Sequence, residues 1–222
     1  GTAEILSGII VNQVLEPGRP CFFNLGFAHV MDMRTGFAVT GGPENALLAV
    51  AGADLARYYR IPSVSWMCSD SVFYDAQNSL EKMLAAFTHS QARVSVVWGV
   101  GSMESEKTIS PVQAVIDNEI IGMVKRYLTG FNTDDESIAL DVIRQVGISG
   151  QFLASEHTLA HYRKSIYMPE ILVRLHRNHV GEENVTRKAE KTVETILASE
   201  REPILDKETE RELLKIEKRY SS

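Results

Sequence analysis

The sequence predicts an α/β fold built on parallel strands. In the first 180 residues, short runs of β-branched or aromatic side chains alternate with longer segments of helical periodicity, the pattern of successive βα units. The chain has 222 residues, which is long enough for one full-sized domain. The alternation fits either an open doubly wound sheet or part of a (β/α)8 barrel, and composition does not choose between them.

Four strands and four helices are predicted in this part of the chain. The strands are expected at residues 20–25, 62–67, 94–99 and, with a weaker pattern, 151–154. The helices are expected at residues 43–59, 75–89, 111–129 and 134–146. Capping boxes at 110–113 and 133–136 begin two of these helices, and Gly130 and Gly147 are placed to end them.

The charge distribution predicts a boundary near Gly181. Residues 181–222 hold 11 acidic and 9 basic side chains in 42 positions, against 18 acidic and 14 basic in the 180 positions before them. We therefore expect a partial barrel over residues 1–180 and a charged helical extension over residues 181–222 that packs on it, with Asp206 as a helix N-cap.

Composition excludes several classes of protein. The net charge of −6 argues against binding to nucleic acid or to anionic lipid. Cys21 and Cys68 are too few for a disulfide scaffold, so a reducing cytoplasm is expected. The longest apolar run, residues 46–53, is far shorter than the roughly 20 residues of a membrane span, and the basic start of a signal peptide is missing, so neither insertion nor export is expected.

The chemistry of a parallel α/β fold gathers beyond the carboxyl ends of its strands. The segments expected there are residues 28–42, 68–75, 100–110 and 155–161. A Gly-x-Gly-x-x-Gly turn does not follow the first predicted strand, and the sequence has no Walker loop, so a nucleotide site is not expected.

Three of these segments carry candidate carboxylates. Asp32 and Arg34 either form a local ion pair or share a site. Asp70 either caps the next helix, a role also open to Ser71, or faces a substrate. Glu104 lies on a glycine-rich loop, where it is either solvated or partly dry.

Glu119 falls on the apolar stripe of the helix predicted over residues 111–129. A carboxylate on such a stripe must find partners or become protonated. A structural network inside the barrel wall is the favoured interpretation for this residue.

His157 and His161 are one helical turn apart, a spacing that can chelate zinc. The order of residues is not that of the His-Glu-x-x-His metalloproteases, and no third ligand follows, so no metal site is expected. The two imidazoles either polarise a substrate or form hydrogen bonds in the core.

Trp66 and Trp98 occupy equivalent places near the ends of successive predicted strands. Two indole rings there could line a pocket for a cation, because an aromatic face attracts a quaternary ammonium group. Ordinary core packing would place them in the same way, and the sequence leaves both interpretations open.

A set of motifs over residues 3–174, in this order and spacing, resembles the trimethylamine methyltransferase family. The motifs are residues 31–36 (MDMRTG), 42–44 (GPE), 55–59 (LARYY), 70–71 (DS), 75–77 (DAQ), 103–105 (MES), 117–119 (DNE), 152–153 (FL), 157–158 (HT) and 161–163 (HYR). The resemblance implies the C-terminal half of a (β/α)8 barrel, an α/β fold with parallel strands, followed by charged helices. Such a half-barrel leaves strand edges open, so a homo-oligomer is expected.

The resemblance also implies transfer of a methyl group from a methylated amine to the Co(I) of a corrinoid protein. A quaternary amine such as glycine betaine is the expected substrate, because the chain shows only standard residues and the trimethylamine enzymes of the family carry pyrrolysine. The corrinoid (cobalamin) belongs to the partner protein, and the chain itself is expected to bind neither cofactor nor metal.

Roles for individual residues follow from the resemblance and from loop position. Trp66 and Trp98 are expected to cage the ammonium group. Asp70 and Glu104 would neutralise its charge, and Arg34, His157 or His161 would bind the carboxylate of a betaine. Glu104 and His157 are the residues expected to act in catalysis. The alternatives are a catalytically incomplete half-barrel that serves in assembly or binding, and a zinc hydrolase using the two histidines.

Overall fold

The computed structural model describes residues 1–25, 29–179, 181–199 and 204–220. In chain order its elements are α1 (Thr2–Leu15), β1 (Phe23–Asn24), β2 (Val30–Asp32), β3 (Phe37–Val39), α2 (Pro43–Tyr59), β4 (Ser63–Trp66), α3 (Ala76–Gln91), β5 (Val96–Trp98), β6 (Ser102–Met103), β7 (Thr108–Ile109), α4 (Pro111–Thr129), α5 (Asp135–Ile138), α6 (Leu140–Val146), α7 (Glu156–Ser165), a 3-10 helix (Arg177–His179), α8 (Val185–Ala198) and α9 (Lys207–Tyr220).

The fold is α/β, with a three-stranded parallel sheet in the order β1-β4-β5. The first three predicted strands are confirmed, although each is shorter than its predicted segment. The register places Phe23 opposite Ser63 and Trp66 opposite Trp98. Two antiparallel hairpins, β2–β3 and β6–β7, come after β1 and β5 in the order of elements along the chain.

Two predicted helices, α2 and α4, have the bounds that the sequence indicates, because their ends are clearly marked. Each has proline near its first position, which suits the fixed backbone angle of that residue. The Ser110 hydroxyl accepts a hydrogen bond from the backbone N–H of Gln113, at 3.3 Å, and Gly130 ends α4. Helix α3 is capped by Asp75, which accepts from the Asn78 N–H at 2.9 Å, so the expectation that Asp70 or Ser71 caps it is wrong.

Three further expectations are wrong. Residues 151–154 form no strand; the segment is exposed and leads to Ser155, which caps α7. The single helix expected over residues 134–146 is divided into α5 and α6, because Ala139 lies in the left-handed region (φ 51°) and interrupts the helical hydrogen bonds. The N-cap of α5 is Asp134, whose carboxylate accepts a hydrogen bond from the Ser137 N–H, and not Thr133, as the predicted capping box implies.

The core lies between the sheet and helices α2, α3 and α4. Phe23 is fully buried, and Val97 packs against the helical core. Because side chains alternate along a strand, Val96 and Trp98 point to the opposite face, where they are 43% and 48% exposed. In the described part of the chain, helices therefore cover one face of the sheet more fully than the other.

Glu119 forms the structural network that its position on the apolar stripe predicts. It is 5% exposed and accepts hydrogen bonds from the Tyr167 hydroxyl at 2.6 Å and from the N–H groups of Glu170 and Ile171 at 2.9 and 2.8 Å. Burial, and then the Glu119 carboxylate, raise the pKa of Tyr167 to about 12. This carboxylate ties residues 167–171 to α4.

The two charged C-terminal helices differ in their packing. Helix α8 lies against α4, and its Ala189 is fully buried in the core. All described residues from Ile204 to Tyr220, including α9, are exposed. Asp206 accepts hydrogen bonds from the N–H groups of Glu208 and Thr209 at the start of α9, as expected of an N-cap. None of the helices described is long and apolar enough to span a membrane.

Candidate active site

Asp70 joins three segments at the carboxyl end of β4. Its carboxylate accepts hydrogen bonds from the Thr40 hydroxyl at 2.6 Å, the Thr40 N–H at 2.9 Å, the Gly41 N–H at 3.2 Å and the Ser105 hydroxyl at 2.8 Å. Burial alone would raise the pKa of Asp70, but the hydrogen bonds from Thr40, Ser105 and Gly41 outweigh it and the pKa is lowered. The side chain is thus ionised, and its oxygens are occupied by donors of the protein itself.

A fully buried ion pair lies behind the strand ends. The Lys82 ammonium donates to the Met67 carbonyl at 3.1 Å, the Gly99 carbonyl at 2.8 Å and the Asp117 carboxylate at 2.9 Å. Asp117 also accepts from the Gly101 N–H at 2.7 Å. Lys82 therefore joins the end of β4 to the end of β5.

The approach of these two strand ends requires glycine at position 99. Gly99 has φ +90°, and a Cβ atom there would lie 2.6 Å from the Met67 carbonyl oxygen. Because Gly99 has no side chain, the Met67 and Gly99 carbonyl groups can lie close enough together for Lys82 to bind both.

Glu81, one residue before Lys82, holds the turn after β4. Its carboxylate accepts from the Ser69 hydroxyl at 2.7 Å and from the Asp70 N–H at 2.8 Å. Neither Glu81 nor Lys82 is among the site residues predicted from the sequence. The signal for Lys82 was its place on the buried face of α3, together with Asn78, Ala85 and His89.

The β6–β7 hairpin has an unusual turn. Three consecutive residues other than glycine, Glu104, Ser105 and Glu106, have φ values of 53°, 50° and 74°. The turn is held by hydrogen bonds from the Glu104 N–H to the Ser71 carbonyl and from the Ser105 N–H to the Ser69 carbonyl, both 3.0 Å. It contributes residues to two cavities.

The first of these, the tryptophan cavity, has a volume of about 310 Å³. It is lined by Trp66, Cys68, Trp98, Gly99, Val100, Ser102, Glu106 and Ile109. The centroids of its two indole rings are 5.7 Å apart, with 45° between the planes. Trp66 is 3% and Trp98 48% exposed, so one ring forms the inner wall and the other the rim. An indole ring exposed at the rim of a cavity, as Trp98 is, can bind a cation against its face.

Cys68 and Glu106 meet at the wall of the tryptophan cavity. The Cys68 thiol donates to the Glu106 carboxylate across 3.3 Å and lies 3.7 Å from the Ser102 hydroxyl. Burial raises the pKa of Cys68 to about 12, so the sulfur is a neutral thiol at physiological pH. The cavity therefore offers a carboxylate and two aromatic faces but no thiolate nucleophile.

The second, the polar cavity, has a volume of about 400 Å³ and is lined by Asp32, Thr35, Phe37, Ala38, Val39, Asp70, Val72, Gln77, Glu104, Ser105 and Lys107. The Glu104 carboxylate accepts from the Thr108 hydroxyl at 2.7 Å, and the Lys107 ammonium lies 5.0 Å from the centre of the Phe37 ring. Glu104 and Asp70 thus share this cavity, while Glu106 belongs to the tryptophan cavity.

Arg34 does not line either cavity. Its guanidinium binds the Asp32 carboxylate through Nε at 3.1 Å and Nη2 at 3.0 Å, and its side chain is 89% exposed. The local ion pair, the simpler of the two sequence-based interpretations, is what the structure shows.

His157 and His161 lie on α7, where their rings stack with centroids 4.3 Å apart. His157 Nε2 is 2.8 Å from the Glu136 carbonyl oxygen, and His161 Nε2 is 3.3 Å from the Glu136 carboxylate. Neither histidine lines the two strand-end cavities. The structure therefore groups Trp66 with Trp98 and Asp70 with Glu104, but it does not bring the histidines or Arg34 to the tryptophans.

A larger cavity, of about 720 Å³, lies at the far end of α4. Its Arg126 donates to the carbonyls of Gly130 and Ser165, and its Arg174 donates to the Tyr167 carbonyl. Both arginines thus bind main-chain carbonyl groups. The carbonyls of Gly130 and Ser165 lie at the ends of α4 and α7, so Arg126 has a structural role there. Across the described residues, no group of three or more His, Cys, Asp or Glu side chains is arranged to hold a metal ion.

Comparison with known proteins assigns the chain to a family. The family model for trimethylamine methyltransferase (MTTB) matches residues 1–222. The chain belongs to the trimethylamine methyltransferase family. This confirms the resemblance that the strand-end motifs indicate.

Curated relatives in this family have two kinds of name. A trimethylamine methyltransferase of Desulfitobacterium hafniense (strain DSM 10664 / DCB-2) is 35% identical over 163 residues, covering 72% of this chain and 32% of that protein. A glycine betaine methyltransferase of D. hafniense (strain Y51) is 34% identical over 215 residues, covering 95% and 45%. A trimethylamine methyltransferase of Methanosarcina thermophila is 36% identical over 157 residues, covering 70% and 32%.

The match lies in the C-terminal part of these relatives, and the chain spans between a third and a half of their length. Both cavities are formed by residues of this part of the family fold.

Proposed function

We propose that this chain forms part of a methyltransferase for methylated amines, in which the tryptophan cavity holds the methylated ammonium group. The observation that carries the proposal is the pair of indole rings 5.7 Å apart at the carboxyl ends of β4 and β5. Binding of a cation against an aromatic face suits a quaternary amine, and the names of the relatives, trimethylamine and glycine betaine methyltransferases, support this substrate class.

The methyl acceptor that we propose is the Co(I) of a corrinoid carried by a partner protein. The corrinoid, when bound, would supply the electron pair for the new bond to the methyl carbon. The pair of the broken N–CH3 bond would stay on nitrogen, so that a quaternary amine would leave as a neutral tertiary amine. The chain needs no nucleophile of its own for this reaction, which agrees with the neutral Cys68 thiol in the cavity wall.

The contribution of the chain is positioning and charge. Trp66 and Trp98 would hold the cation with one methyl group toward the acceptor and exclude water from its other faces. Asp70, with its four donors, would fix the loops that shape the cavity. Arg34, His157 and His161 lie elsewhere, so binding of a betaine carboxylate by these three is not part of the proposal.

We further propose that the three parallel strands are part of a (β/α)8 barrel. The supporting observations are the parallel order β1-β4-β5, the more open sheet face that carries Trp98, and the match to the C-terminal part of longer relatives. Strand edges of a partial barrel favour pairing with a second chain, so we propose a homo-oligomer. Light scattering after gel filtration should give at least twice the 24.7 kDa of the chain, and a monomer at micromolar concentration would contradict this part.

Tryptophan fluorescence tests the binding part of the proposed function directly, because the chain has 2 tryptophans and both line the same cavity. Titration with tetramethylammonium and glycine betaine should change the emission in a saturable way. If neither ligand, nor trimethylammonium, changes it at millimolar concentration, the cavity is not an ammonium site.

A transfer assay then separates an enzyme from a binding piece. The chain, a reduced corrinoid protein and the ligand that binds best are mixed, and methylation of cobalt is followed by its absorbance. Methylation supports the enzyme. Saturable binding without methylation supports the alternative, a catalytically incomplete half-barrel that serves in assembly or binding.

A further inference from the structure

We propose that Glu106, rather than Glu104, supplies the negative charge of the tryptophan cavity, and that it makes the cavity select methylated ammonium groups whose other substituents carry no carboxylate. This inference rests on the proposed function, since it concerns the same cavity. It differs from the sequence-based expectation both in the residue and in the preferred substrate.

The position of Glu106 supports the proposal. Glu106 lines the tryptophan cavity, and its Oε1 lies 3.3 Å from Cys68 Sγ in the cavity wall. Glu104, two residues earlier in the same turn, lines the polar cavity instead. The left-handed backbone of residues 104–106 thus places the two carboxylates of one turn in different cavities.

The charge of the residues that line the tryptophan cavity also supports it. Among the side chains that line the tryptophan cavity, Glu106 is the charged one, and the rest are aromatic, aliphatic or neutral polar groups. Within the described part of the chain, Glu106 forms no ion pair with lysine, arginine or histidine. A ligand cation would therefore meet an uncompensated carboxylate, whereas a ligand carboxylate close to it would be repelled.

The carboxylate of Glu106 is also the one most available to a ligand. Asp70 already accepts four hydrogen bonds from the protein, and Glu104 accepts one from the Thr108 hydroxyl. The protein donor to Glu106 is a thiol, which is a weak donor. Of the three carboxylates, Glu106 has the most capacity left for a ligand.

The test compares a cation with a zwitterion in the same cavity. Emission from the two tryptophans is titrated with tetramethylammonium and with glycine betaine, for the unchanged chain and for Glu106→Gln. In the unchanged chain, tetramethylammonium should bind more tightly than glycine betaine. Glu106→Gln should lower the affinity for tetramethylammonium about tenfold, because a short-range charge pair is lost. It should change the affinity for glycine betaine by less than about twofold.

Two further variants control for charge and folding. Glu44→Gln removes the same charge at an exposed position at the start of α2 and should leave both affinities unchanged. Glu106→Gly suits φ +74° without strain, so it should keep the fold while it weakens tetramethylammonium as Glu106→Gln does.

Each other outcome is decisive. If Glu104→Gln lowers the affinity for tetramethylammonium and Glu106→Gln does not, the charge belongs to Glu104 and the inference is overturned. If Glu106→Gln lowers the affinity for both ligands equally, Glu106 does not cause the selectivity and that part of the inference is overturned. If the unchanged chain binds neither ligand, the proposed function fails before Glu106 is tested, so the two failures are distinguishable.

Discussion

The strand ends and the C-terminal helix α9 use charged side chains in opposite ways. Behind the strand ends, Lys82 and Asp117 are both fully buried, and each makes at least three hydrogen bonds or ion-pair contacts. On α9, every described residue is exposed, although the segment is far richer in charge. Charge density along a sequence therefore does not indicate where charge matters to the fold: the region with fewer charged residues contains the ones that position the candidate site.

Substitution of the buried Lys82 should have the largest effect on the free energy of unfolding. Lys82→Met leaves Asp117 buried without its cation, and we expect the free energy of unfolding to fall by about 3–5 kcal/mol. Urea unfolding followed by circular dichroism measures the change. Lys215→Met on α9 is the matched control, since Lys215 is exposed, and should change the value by no more than about 0.5 kcal/mol. Equal effects of the two variants would contradict the comparison.

A second prediction concerns His89, which lies on the buried face of α3. His89 is fully buried, and both its ring nitrogens lack a hydrogen-bond partner among the described residues. Burial lowers its pKa from 6.5 to about 4. Between these two pH values the unfolded chain binds a proton at this residue and the folded chain does not. The contribution of neutral His89 to the free energy of unfolding is therefore fully present above about pH 6.5. It is lost as the pH decreases toward 4, by about 3 kcal/mol in total.

Urea unfolding at several pH values between 7.5 and 4.5 tests this dependence. The fall should be smaller in His89→Leu, with a remainder due to carboxylates such as Asp70, whose pKa is also lowered. The control is His176→Leu, because His176 is exposed and should leave the pH dependence unchanged. An unaltered pH dependence in His89→Leu would show that another group causes it.

The smallest effect on stability is expected for removal of α9. Deletion of residues 204–222 removes α9, whose described residues are exposed, so the free energy of unfolding should change by less than about 1 kcal/mol. Thermal unfolding of the shortened chain measures this. A large loss would mean that the apolar side chains of α9, Leu213 and Ile216 among them, stabilise an assembly of chains, and unfolding at two protein concentrations would reveal it.

The elements predicted well from the sequence are those with clear ends and enough length. Helices α2 and α4 each begin at a proline and span many turns, so periodicity and caps agree. The strands of the two hairpins have two or three residues, which is too short for alternation to be visible. The interruption at Ala139 has no sequence signal, because alanine favours continuous helix.

The candidate site divides in the same way. The pairing of Trp66 with Trp98 could be predicted, because equivalent positions on neighbouring parallel strands lie side by side. The partner of Lys82 is Asp117, 35 residues away, and no local pattern connects them. Glu106 was missed because its orientation depends on positive φ angles at three residues that are not glycine, which sequence alone does not indicate.

The turn that carries Glu106 has a consequence for how this part of the protein could be redesigned. A residue other than glycine in the left-handed region costs about 1 kcal/mol or more, so residues 104–106 make the native state less stable than a glycine-rich turn would. A version chosen only for ease of folding would carry glycines here and lose both acidic side chains. Thermostabilisation by consensus or computation should therefore leave these three positions untouched.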